Sequence, residues 1–231
     1  MKIGAKSDKG KVREQNEDSY GYRGSLFVLA DGMGGHRAGE IASSIAVQTI
    51  LDTDFSENST EIALREAIHQ ANQAILNAVE IDPDQYGMGT TITVLYFSGD
   101  MAFYTHIGDS RIYRYSKGNF QQLTEDHSLV AELVRGGSLT KAEAKNHPQR
   151  NILTRALGTD RMPDFEITGI QVGEGDKFLM CSDGLCGLLE DERIYKEISM
   201  NDEPRDIVDR LVAMANDAGG IDNITVILIE I

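Results

Sequence analysis

Two different periods organise the apolar positions of this chain. Residues 40 to 53 and 61 to 80 place apolar side chains at helical spacing, with Ile62, Ile68, Ile75 and Val79 separated by alanines, and predict two amphipathic helices. The period then shortens. "TTITVLYF", "MAFYTHIG", "RIYRYS" and "FQQL" are β-rich runs joined by "SGD" and "KGN", the pattern of an antiparallel meander. Residues 126 to 135, "DHSLVAELVR", predict a helix stopped by Gly136-Gly137, and Thr140-x-x-Glu143 is a capping box that opens a short one. "EITGIQV" and "KFLMCS" follow as strands. "EPRDIVDRLVAMANDAGG" reads as a helix with Pro204 in its first turn and a Gly-Gly stop, and "ITVILIEI" closes the chain as a strand. This order is mixed rather than alternating, which predicts packed antiparallel sheets with helices outside them.

Four of the apolar runs meet an aspartate. "LFVLADGMGGHRAGE" runs into Asp31 and "KFLMCSDGL" into Asp183; "AFYTHIGDSR" ends at Gly108-Asp109, and Asp222-Asn223 stands immediately before "ITVILIEI". A single Asp-Gly is an ordinary turn signal. Four such strand ends predict one site. Carboxylates gathered there repel one another, and leaving several ionised and unpaired would cost several kcal/mol, a conflict that a divalent cation resolves. All-oxygen ligands without a thiolate cluster point to Mg²⁺ or Mn²⁺ rather than Zn²⁺. Gly32, after Asp31, would let a backbone carbonyl approach an ion closely. Two such ions could share a water, lower its pKa and present it to a phosphorus in line with the leaving oxygen. Arg13, in "VREQNEDSY" with Glu17 and Asp18 close behind, is the candidate grip for the phosphate; the alternative for Arg13 is a surface salt bridge.

Composition narrows the partners. The 231 residues carry 22 basic against 37 acidic side chains, a net charge of −15, which argues against nucleic acid and suits cation binding. No run of eighteen apolar residues and no N-terminal apolar segment occurs, so a cytoplasmic protein without a membrane partner is expected. The two cysteines, Cys181 and Cys186, provide neither a disulfide framework nor zinc-ligand spacing. No repeat or linker divides the sequence, and residues 1 to 231 read as one domain.

The ordered motifs "R-x-x-N-E-D" at 13 to 18, "ADGMGGH" at 30 to 36, "GMGTT" at 87 to 91, "GDSR" at 108 to 111, "SDG" at 182 to 184 and "DN" at 222 to 223 resemble the PPM (type 2C) family of metal-dependent Ser/Thr protein phosphatases, in particular its compact bacterial branch. The resemblance implies an α+β fold, a four-layer αββα sandwich with the metals in a cleft at one end. It implies hydrolysis of phosphoserine and phosphothreonine in one step by a metal-bridging water. Asp31 would bridge two Mn²⁺ or Mg²⁺ ions, with the Gly32 carbonyl on the second, Asp183 and Asp222 on the first, and Glu17 or Asp18 holding the second through water. Asp109 with Asp183 matches a weaker third metal position, and Gly187 stands where some relatives carry a further acid. Arg13 matches the phosphate-binding arginine. Met33 occupies the position of a histidine proposed as general acid in many eukaryotic relatives, while His36 belongs to the bacterial form and is either a catalytic residue or a hydrogen-bonding neighbour. The segment at about 126 to 155 resembles the family's mobile flap, "GMGTT" reads as packing beside the site, and His106 as structural. The implied partners are phosphorylated proteins, substrates of a bacterial-type Ser/Thr kinase, and the kinase itself. A metal-binding module that has lost activity, and a phosphatase of a partner-switching sigma-factor pathway, are the rival readings.

Overall fold

The computed structural model describes residues 1–34, 38–55, 59–159 and 162–231. Strands and helices are numbered in chain order. The first sheet holds β1 (Lys2–Asp8), β7 (Arg111–Ser116), β8 (Asn119–Gln122), β10 (Lys177–Cys181) and β11 (Ile224–Glu230), in the order β1-β11-β10-β7-β8. The second holds β2 (Asp18–Arg23), β3 (Leu26–Met33), β5 (Ile92–Ser98), β6 (Met101–Ile107) and β9 (Thr168–Gln171) in that order, with the two-residue β4 (Gly89–Thr90) paired to β3. Every pairing between these strands is antiparallel.

The alternating faces of the strands explain why their sequences are almost continuously apolar. In β3, Phe27 and Leu29 enter a core shared with Leu95, Phe178, Met180, Ile227 and Ile229, which is the seam between the sheets. Leu26, Val28 and Ala30 turn the other way, onto α1 (Ala38–Leu51) and α2 (Thr60–Ile81), where they meet Ala42, Ala46, Ile50, Leu64, Ile68 and Ile75. The first sheet is covered in the same manner: Leu179, Val226 and Leu228 pack against Ile194 of α6 (Asp191–Ile198) and Ile207, Leu211 and Val212 of α7 (Pro204–Asp217). Four layers result, αββα. A strand buried on both faces has no polar positions to alternate, and each fully buried aliphatic or aromatic side chain contributes about 1.5–3 kcal/mol.

The register brings one end of both sheets together. Asp8 lies opposite Ile224 and Cys181 opposite both Val226 and Arg111, while in the other sheet Asp18 lies opposite Asp31 and Ile92 opposite Ile107. The residues just beyond these positions, Asp183, Asp109 and Asp222, therefore emerge at the same end.

The meander is corrected to two hairpins. β5 and β6 pair in the second sheet, whereas β7 and β8 pair in the first, so the chain crosses between sheets at Gly108–Ser110. Gly108 takes φ +110, and an added Cβ would stand 2.5 Å from Thr91 Cγ2, which is why the crossing needs glycine. The helix expected over 126 to 135 is α3 (Leu129–Arg135), because the Ser128 hydroxyl accepts from the Ala131 amide and caps it. The capping box is present at α4 (Lys141–Lys145). Both helices sit in a segment whose root is tied to the crossing: the His127 amide donates to the Gly108 carbonyl at 2.9 Å and the Thr154 amide to the His127 carbonyl at 2.9 Å.

Candidate metal centre

Asp31 is not at the end of its strand. β3 continues through Gly32 and Met33, and a cradle of hydroxyl groups holds the Asp31 backbone. Its amide donates to Thr91 Oγ1 at 2.9 Å, its carbonyl accepts from the Thr91 amide and the Thr90 hydroxyl, each at 2.9 Å, and Thr91 Oγ1 also contacts Ser110 Oγ at 3.0 Å. Directly across the strand pair stands Asp18, buried at 8% exposure. Like charges facing across a ladder are unfavourable. Ser182 relieves part of the conflict by donating from its hydroxyl to Asp18 Oδ2 at 2.8 Å, while Asp18 Oδ1 has no hydrogen-bond partner.

Asp183 follows Ser182 as the first residue of the short α5 (Asp183–Cys186), and its carboxyl stands near enough to that of Asp31 for each to act on the other's charge. Asp222 is held from two sides, by its own neighbour's Asn223 amide on Oδ1 and by the Arg13 guanidinium on Oδ2, both at 2.8 Å. Glu17 reaches the start of α1: a Cβ on Gly39 would stand 2.9 Å from its carboxyl carbon. A Cβ on Gly32 would strike the Gly39 carbonyl and lie 2.6 Å from the Glu17 carbonyl oxygen, so this close approach of three backbone segments admits no side chain.

The electrostatics record the crowding. Burial first, and then the neighbouring carboxylates, push Asp18 up to about 7, Asp109 to about 8 and Asp183 to about 6, with Asp31 raised well above the usual carboxylate range. Burial also raises Glu17. Asp31 feels Asp18, Asp183, Asp109 and Asp222, so the structure brings together the acids that the sequence placed at separate strand ends. Among the described residues no three acidic, histidine or cysteine side chains are already closed at ligating geometry. Arg13 engages Asp222 and Ser182 engages Asp18 instead. The donor set nevertheless fits a hard divalent cation: only oxygens, a buried carboxylate oxygen without a partner, and a Gly32 cradle open to backbone.

Residues 11–223 match the protein phosphatase 2C family. The chain belongs to that family. The serine/threonine protein phosphatase PstP of Mycobacterium tuberculosis is 39% identical over 233 residues, covering 100% of this chain and 45% of that protein, so the chain spans about half the length of that relative. The crystal structure of the Mycobacterium tuberculosis phosphatase PstP/Ppp superposes with a TM-score of 0.93 at 39% identity, covering 99% of this chain and 97% of that one. The PstP catalytic domain in complex with two manganese ions superposes at 0.90 with 38% identity, covering 98% and 96%. Among the described residues no helix is long and apolar enough to cross a membrane.

Five residues of the site escaped assignment from sequence: Thr90, Thr91, Ser110, Ser182 and Asn223. Asn223 is the organiser of the N-terminal loop, since its amide group donates to the Lys9 and Gln15 carbonyls at 3.0 and 2.8 Å and its Oδ1 accepts from the Glu17 amide at 2.8 Å. All five lie inside the ordered motifs of the sequence, but short neutral polar residues carry no signal until their partners are known. His36 lies outside the described residues. His106 is structural, its Nε2 bonded to the Glu125 carbonyl at 2.7 Å and its ring stacked on His127 at 4.5 Å.

Proposed function

We propose that this protein hydrolyses phosphoserine and phosphothreonine in proteins, using Mn²⁺ or Mg²⁺ held by the acidic end of the sandwich. The observation that carries the reading is the convergence of Asp31, Asp183, Asp18, Asp109 and Asp222 around one buried point, with Arg13 beside it. Asp31 is assigned to both core ions, the Gly32 carbonyl and Glu17 or Asp18 to one, and Asp183 and Asp222 to the other. Asp109 with Asp183 is assigned to a weaker third ion. Such ions supply charge neutralisation and an activated water for attack on phosphorus.

The chain's own groups do the positioning. The Thr90 and Thr91 hydroxyls fix the Asp31 backbone, and Ser110 holds the Thr91 hydroxyl in turn, so the strand presents the Asp31 carboxylate from a fixed position. Arg13 presents a half-exposed guanidinium at the rim, and a phosphate dianion arriving there meets two donors at once. Ligation of Asp222 would draw that carboxylate away from Arg13 and free its fork. Residues 126 to 155, rooted at Gly108 beside Asp109, are assigned as a flap over the substrate. The substrates of a bacterial-type Ser/Thr kinase are the proposed partners.

Steady-state hydrolysis of a phosphothreonine peptide, with Mn²⁺ and again after chelation, tests the reading. Turnover only with metal is expected; no turnover in either condition returns the chain to a metal-binding module without activity.

A further inference from the structure

Large apolar side chains stand exposed at nine of the described positions, and two of these, Val12 at 64% and Ile221 at 48%, belong to the two loops that carry Arg13 and Asp222. Isolated exposed apolar residues are ordinary. These two are not isolated from each other, because the loops are stitched side by side. The Lys11 amide donates to the Gly220 carbonyl at 2.7 Å, Arg13 pairs with Asp222 at 2.8 Å, and Asn223 donates to the carbonyls of Lys9 and Gln15. Val12 lies between the first two of these ties on one strand of the stitch, and Ile221 between the same two on the other. These ties hold the two loops together beside the phosphate grip, and both side chains stand exposed there.

We propose that Val12 and Ile221 form an apolar rim that receives an aliphatic side chain next to the phosphorylated residue of the substrate polypeptide. The proposal rests on the phosphatase reading and adds its sequence preference. Arg13 fixes the occupant: a phosphorylated side chain drawn to the guanidinium brings its own neighbours in the chain over positions 12 and 221. An extended peptide advances about 3.3 Å per residue, so a residue one or two places from the phosphorylated one is within reach of the rim. Beside Val12 the first loop carries the charged side chains of Lys9, Lys11 and Glu14, and Lys11 is already paired at 3.6 Å with Asp217 at the end of α7. They leave Val12 and Ile221 as the apolar ground beside Arg13.

The test compares two phosphothreonine peptides of equal charge, one with leucines and one with serines flanking the phosphothreonine. It uses the wild-type protein and the double variant Val12→Ser, Ile221→Ser, all in Mn²⁺, with p-nitrophenyl phosphate as a small substrate that lacks flanking residues. Partial covering of two aliphatic side chains corresponds to a preference of about fivefold in kcat/KM for the leucine peptide. In the double variant that ratio is expected to fall to near one while p-nitrophenyl phosphate is still hydrolysed. A ratio near one in the wild type, or an unchanged ratio in the variant, overturns the rim. So does loss of p-nitrophenyl phosphate turnover in the variant, which would make the two side chains part of the scaffold of Arg13. Failure of the wild type to hydrolyse any of the three substrates overturns the phosphatase reading itself, and the rim with it.

Discussion

Arg13 and Asp222 are the pair whose exchange of partners the proposed chemistry requires. The guanidinium is bonded to a carboxylate 2.8 Å away that is itself a proposed metal ligand, and the neighbouring Glu17 and Asp183 further favour the charged form of Arg13. Arg13→Ala should lower kcat/KM on a phosphopeptide by the equivalent of about 1.5–3 kcal/mol, the scale of a lost charged hydrogen-bonding contact. An unchanged kcat/KM would leave Arg13 as a surface ion pair. Asp109 belongs to a different part of the site. Burial and Asp183 raise it most, followed by Asp126, and it follows the Gly108 crossing rather than facing Asp31 across a ladder. Asp109→Ala should retain two tightly bound Mn²⁺ in a calorimetric titration and lose most turnover; loss of a tight ion would put Asp109 in the core instead. The acids of this site were legible because a charge that interrupts an apolar run demands a partner. The hydroxyls of Thr91, Ser110 and Ser182 were not, since a threonine in a strand and a serine before a helix satisfy local rules without any site.

The strands show why some elements were readable and others hidden. β3, β10 and β11 are apolar on both faces and stand inside their sheets, whereas β1 "KIGAKSD" and β2 "DSYGYR" are edge strands with a polar or half-exposed face, and no strand was expected at either. The two central helices were legible to within a few residues, as α1 begins at Ala38 and α2 at Thr60. Periodicity identified β5 to β8 as strands but could not say which sheet each joined, because a hairpin and a sheet crossing have the same alternation. Gly108 decides it. Its φ of +110 and the Thr91 side chain behind it leave no room for a Cβ, and its amide donates to His127 Nδ1 at 3.2 Å, tying the crossing to the flap root. Gly108→Ala should cost about 2 kcal/mol or more in a denaturant titration, from strained backbone and a displaced Thr91. A loss below about 0.5 kcal/mol would show that the crossing relaxes without strain.

At the scale of the whole molecule, a net charge of −15 and a cluster of raised carboxyl groups make stability depend on pH and metal together. The folded-state values of Asp183, Asp18 and Asp109, about 6, 7 and 8, lie above the ordinary 3.8 of an unfolded chain. The folded protein therefore binds more protons than the unfolded chain across that window. The contribution of these groups is fully present below about pH 4 and is lost as pH rises through their folded values. In chelator, the melting temperature should fall between about pH 5.5 and 8, and Mn²⁺ should raise it more at the upper end, where fewer protons have to leave. A melting temperature that rises over this range in chelator would contradict the crowding of unpaired carboxyls. The central claim is that Asp31 organises a metal-dependent phosphatase, and the most direct measurement is kcat of Asp31→Asn beside the wild type, on a phosphothreonine peptide at saturating Mn²⁺. A fall of about three orders of magnitude or more, in a variant that still unfolds cooperatively, is predicted; a kcat near that of the wild type would contradict it.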